Sequence, residues 1–150
     1  MNKKEQLQFI NSYKNEKKKS EKECHEIWRE IVTRRAKGKC EYYGCQMVGT
    51  CNAHHFFSKG AYPHLRHDID NGIYLCYNHH TGNNKNAAHL DPYFKDKILG
   101  RIAGYKAIRT EEWLTKLELK AQSSYKLDLK MELLYLQNKL KEYGDTKHNY

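Results

Sequence analysis

The sequence predicts an α+β chain in which a small, metal-stapled ββα module sits between an N-terminal helix and C-terminal helices. Three observations point there: Lys- and Glu-rich ends with apolar residues at helical spacing, a glycine-punctuated middle with no long helical period, and a Cys/His run between Cys40 and His89. Written out, the run reads C-x4-C-x8-H-H, then D-I-D-N, then L-C-x2-H-H-x3-N. Four of the five Cys and seven of the nine His lie inside it, a clustering that packing alone does not call for.

At 150 residues the chain is about one domain long, enough for a modest core and arms. Lys and Arg outnumber Asp and Glu by 27 to 18, a formal charge of +9 that favours a polyanionic partner such as nucleic acid. No apolar stretch approaches the roughly 20 residues of a spanning helix. The opening MNKKEQLQF lacks the apolar core of a signal peptide, so the expected location is the cytoplasm, with no membrane partner. In a reducing compartment an odd number of Cys clustered with His reads as metal ligation rather than as disulfides. Cys24, outside the run, reads as a bystander.

Residues 1–37 are expected to form a basic helical arm. Cys24, Ile27, Trp28, Ile31 and Val32 share one helical face, ended by Gly38, and that face should pack on the module. The run Lys17-Lys18-Lys19 is either a solvated face or a phosphate contact. Residues 38–109 make up the module. Two short strands, over 48–57 and 72–75, enclose a long loop, and a helix begins near Tyr77. Asp91-Pro92 reads as the start of another helix, Asp capping and Pro at the first position. Gly100 and Gly104 interrupt it. Residues 110–150 form a C-terminal helical extension that starts at Thr110 and is either one long helix or two joined near Ser123-Ser124. Its stripe of Leu129, Leu133, Leu136 and Leu140 suits a core face or a homodimer contact. Asp145 to Tyr150 should fray.

Structural zinc takes four tetrahedral Cys or His ligands, usually as two close pairs from separate turns. Cys40 and Cys45 supply one pair on a glycine-containing knuckle, and Cys76 with His79 the other. Cys51 rivals Cys45 but lies in a strand, close to His54. His54 and His55 are neighbours in that strand and point to opposite sides, so they do not bind one ion together. One can hold a metal while the other stays free as a base, the division of labour that phosphodiester hydrolysis requires. His79 and His80, at the start of a helix, project about 100° apart, so His80 can turn to the second ion. Asn84 shares the face of His80 and is a candidate third ligand, with His89 competing. Asn71 is either a turn residue before Gly72 or the group that, like a backbone carbonyl beside the strand, orients the free imidazole. In the loop, Lys59, Arg66 and His67 either meet phosphates or are ordinarily solvated. Tyr42, Tyr43, Phe56 and Phe57 suit the core of a small zinc module.

The order His55, Asn71, His80 with flanking zinc cysteines resembles the HNH, or ββα-metal (His-Me finger), endonucleases over about a third of the chain. The stretches A-H-H-F-F-S-K-G from Ala53 to Gly60, L-R-H-D-I-D-N and L-C-x2-H-H are similar to the HNH nucleases of phage recombination and homing systems, among them the Rap-type junction nucleases. The double His is similar to that of the colicin nucleases. The resemblance implies a bacterial or phage-infected cell, DNA as partner, and His54 and His80 as metal ligands. It makes His55 the general base and Asn71 the orienting residue. Asn84 stands where the colicin nucleases have a third His, and His79 where zinc-bearing relatives usually have Cys. The implied reaction is metal-dependent hydrolysis to 5′-phosphate and 3′-hydroxyl ends. Mg²⁺ or Mn²⁺ is the expected ion, with Zn²⁺ or Ni²⁺ compatible with two imidazoles. The competing reading, from another class, is a zinc-stapled nucleic-acid-binding module without catalysis, which would have no use for an oriented, unligated base.

Overall fold

In a computed structural model of the chain, which describes residues 2–82, 85–123 and 125–144, helices surround one two-stranded antiparallel sheet. Helix α1 (Lys3–Arg35) opens with a capping box: the Asn2 side chain accepts the Glu5 N–H, and the Glu5 carboxylate accepts that of Asn2. It closes at Gly38 as expected, through a Schellman pair in which the Gly38 N–H donates to Thr33 and the Lys37 N–H to Arg34. The left-handed conformation begins one residue earlier, on Lys37. At about 1.5 Å per residue the helix is roughly 50 Å long, more than the body beneath it can cover. Residues 2–19 are exposed on all sides, whereas Cys24, Trp28, Ile31 and Val32 are buried.

Strands β1 (Cys51–His55) and β2 (Gly72–Cys76) pair in a register that sets Cys51 against Cys76 and His55 against Gly72. Strand alternation divides the core in two. Ala53 and Tyr74 face α1, joining Trp28, Ile31, Val32 and Leu136. Ile73 and Leu75 face the other way, toward Phe94, Ile98, Leu99 and Leu114. Gly72 allows α1 to cross the first face closely, because a Cβ there would collide with the side chains of Val32 and Trp28. The loop of residues 56–71 folds back under α1 and is tied by Asn71. The Asn71 amide donates to the carbonyls of Phe57 and Leu65 (both 3.0 Å), and its oxygen accepts the Phe57 N–H (2.7 Å). The Trp28 indole N–H donates to the Asp68 carbonyl of the same loop (2.8 Å).

The expected helix at Tyr77 is a single turn, α2 (Tyr77–His80). The helix expected at Asp91-Pro92 is α3 (Phe94–Ile98) and starts later. Asp91 instead accepts the Tyr93 N–H in a preceding turn and pairs with Lys97 at 2.8 Å. The C-terminal extension is two helices, α4 (Glu111–Gln122), capped by Thr110, and α5 (Leu129–Glu142), capped by Asp128. Leu133, Leu136 and Leu140 of α5 pack on α1. Cys24 lies by the Leu129 carbonyl and Arg34 bonds that of Gly144, so α1 and α5 run parallel. The leucine stripe is therefore covered within one chain. Ser124 and residues 145–150, where a junction and fraying were expected, lie outside the described residues. No described helix is long and apolar enough to cross a membrane.

Candidate metal centres and the free histidine

Cys40, Cys45, Cys76 and His79 converge, their ligand atoms all lying within 4.8 Å of one another. The knuckle is held by the Cys45 N–H on the Tyr42 carbonyl and the Cys40 N–H on that of Met47. The second pair comes from the end of β2 and the turn of α2. Three edges of the cluster measure 3.3 Å (Cys76 Sγ to His79 Nδ1), 3.6 Å (Cys40 Sγ to His79 Nδ1) and 4.0 Å (Cys45 Sγ to Cys76 Sγ). A tetrahedron with metal–ligand distances of about 2.0–2.3 Å has edges of roughly 3.3–3.8 Å, so the donor set fits a metal ion such as zinc. Burial raises the Cys40 thiol well above its ordinary range, a cost that a divalent cation would reverse by holding the thiolate. Tyr42 stacks on the His79 ring at 4.0 Å and fixes its plane. Cys51 stays out of the cluster, against the Met47 carbonyl.

Around the other end of β1, His54, His80 and His89 form a second group within the same 4.8 Å limit. Their ring centroids are 5.0–5.1 Å apart. Burial, then the neighbouring His80, His89 and His55, push His54 down to about 3, and burial also lowers His80. Both keep a free lone pair at neutral pH, the form a metal requires. His89 arrives by a turn in which Ala88 N–H donates to the His79 carbonyl (2.7 Å) and His89 N–H to that of His80 (3.3 Å). Of the two candidates for third ligand, His89 joins the cluster, while Asn84 lies outside the described residues.

His55 points to the opposite face of the sheet, as alternation requires. Its ring stacks on Trp28 at 4.2 Å, with His25 of α1 nearly parallel at 5.8 Å. Its Nε2 lies 2.8 Å from the Arg66 carbonyl. A carbonyl only accepts, so Nε2 carries the hydrogen and Nδ1 keeps the lone pair. Burial lowers His55 and the Arg66 bond opposes that shift. Of the two orienting groups the sequence offered, the carbonyl touches the ring. Asn71 acts one step away, tying the loop that carries Arg66.

The loop residues expected at phosphates separate. Lys59 is exposed near the loop tip. Arg66 is half-buried and faces Glu21 at 3.8 Å. His67 is 1 % exposed, with neither ring nitrogen bonded, so the expectation that it meets phosphate is corrected: the folded loop encloses it. Burial pushes it down to about 4. Sequence reasoning missed His25. Its position three residues before Trp28, on one helix face, was the available signal.

Comparison with protein-family models, curated proteins and solved structures found no match for this chain. The site therefore rests on its own chemistry.

Proposed function

We propose that this chain is a metal-dependent DNA endonuclease of the HNH, ββα-metal type, stapled by a structural zinc on Cys40, Cys45, Cys76 and His79. One observation carries the reading: adjacent strand residues divide into a metal-competent His54, grouped with His80 and His89, and an unligated His55 with a free Nδ1. A binding module without catalysis needs no such division.

In this reading His55 takes a proton from water at Nδ1 as the water oxygen attacks phosphorus in line and the 3′ oxygen leaves. The Arg66 carbonyl keeps the tautomer, Asn71 keeps the carbonyl in place, and the Trp28 face favours the imidazolium that forms. An ion held by His54, His80 and His89 would supply Lewis-acid stabilisation of the oxyanion and leaving oxygen. Three imidazoles suit Zn²⁺, Ni²⁺ or Mn²⁺ better than Mg²⁺, which prefers oxygen. Lys59 is the exposed loop cation available to a flanking phosphate.

The test is plasmid relaxation by the zinc-loaded protein with each ion in turn. Nicked and linear products are expected, most with the imidazole-preferring ions, and His55→Ala should lower the rate by about 100-fold or more with zinc content and far-ultraviolet dichroism unchanged. Undiminished cutting by that variant removes His55 from the mechanism. No cutting with any ion leaves the zinc-stapled binding module.

A further inference from the structure

We infer that the groove between α1, the 63–67 turn and the 125–130 connector binds an unpaired DNA strand, an inference that rests on the reading of this chain as a DNA-cutting protein. The groove encloses about 700 Å³, within the roughly 300–1,000 Å³ of clefts that take small ligands. Its walls carry two uncovered aromatic rings, Tyr13 on the projecting part of α1 and Tyr125 on the connector. Tyr125 is held edge-on against His64 at 5.1 Å. Exposed aromatics beside lysines are the means by which proteins hold single strands, because every unpaired base has a face to stack and paired bases do not offer theirs.

The charge of the walls agrees. Of the three acids lining the groove, Glu21 faces Arg66 and Asp128 caps α5 by accepting the N–H groups of Lys130 and Met131. That leaves Glu16 against Lys17, Lys126 and Lys130.

The groove and the face that carries His55 share a single dipeptide. The Arg66 carbonyl accepts the His55 N–H, while the Arg66 and His67 side chains line the groove. His67 lies 6.2 Å from His25, whose ring stacks at 5.8 Å on His55.

The experiment is fluorescence anisotropy of the full zinc-loaded chain with a labelled oligothymidylate and, separately, a duplex hairpin of the same length at matched salt. The oligothymidylate should bind more tightly than the hairpin. Tyr13→Ala and Tyr125→Ala, both at exposed positions that folding does not need, should each weaken it by about tenfold and leave the hairpin unaffected. Equal binding of the two probes, or wild-type binding of oligothymidylate by both variants, overturns the inference. Plasmid cutting reads the endonuclease separately. If wild type cuts and the tyrosine variants bind normally, the groove fails alone; if nothing cuts but those variants lose the single strand, the nuclease fails and the groove stands.

Discussion

Glu41 shows how much can hang on one side chain. Its carboxylate accepts the Tyr74 N–H at 2.7 Å, pairs with Arg109 at 2.8 Å and lies 3.8 Å from Arg35. Both arginines also donate to the Gly72 carbonyl. One acid thus joins α1, the Cys40–Cys45 knuckle, β2 and the approach to α4 while standing only 15 % exposed. Glu41→Ala leaves two mostly buried cations with hydrogen bonds to backbone carbonyls but no counter-charge beside them, and should lower stability by about 3 kcal/mol, measured by urea unfolding at neutral pH. A loss below about 1 kcal/mol would mean that water replaces the carboxylate. At this scale the sequence is most readable where spacing has a direct geometric meaning. Cys40, Cys45, Cys76 and His79 are two short-range pairs, and the division of His54 from His55 needs only the strand period of two. His89 and His67 are harder, because their places depend on how a loop closes. A return turn onto His80 or a fold under α1 leaves no periodic trace. Nor does a linear reading reveal that Asn71 reaches His55 through Arg66.

Between elements, the tightest contact is that of α1 on the hairpin. Gly72 permits it, and Trp28 seals it by filling the space beside His55 and bonding the Asp68 carbonyl. Gly72→Ala should destabilise by about 1–3 kcal/mol, because Val32 and Trp28 must give way. It should also perturb Trp28 fluorescence and the His55 ring resonances, which stack on it. Unchanged stability with unchanged spectra would show that α1 has slack over the sheet. The amphipathic faces of α1 and α5 are legible from the 3.6-residue period, and Thr110 from its capping chemistry. The period does not say that these two faces meet, nor that they run parallel. A leucine stripe looks the same whether its partner is its own chain or another.

For the whole molecule, the Cys/His cluster lies where the hairpin, the knuckle and α2 come together, next to one of the two cores. The chain should bind one zinc tightly at these four residues. Removing it with a strong chelator should lower the melting midpoint by about 10 °C or more, since a few kcal/mol moves a chain of this size that far. The projecting residues 2–19 should be indifferent to the treatment, because they touch none of this core. Complete loss of zinc with an unmoved midpoint would reduce the cluster to a surface feature.

The parallel pairing of α1 with α5 also has a consequence for synthesis. Arg34 meets Gly144 across 110 positions of sequence, whereas the Cys/His cluster spans only Cys40 to His79. As the polypeptide leaves the ribosome, the hairpin and its staple can form early. The Trp28, Ile31 and Val32 face of α1 gains its α5 cover, Leu136 among it, only when the last helix emerges. Until then the nascent chain carries a greasy half-built surface. A ribosome that stalls before residue 129 would release a folded but sticky fragment, which makes α5 the step that turns a folded centre into a dispersible protein.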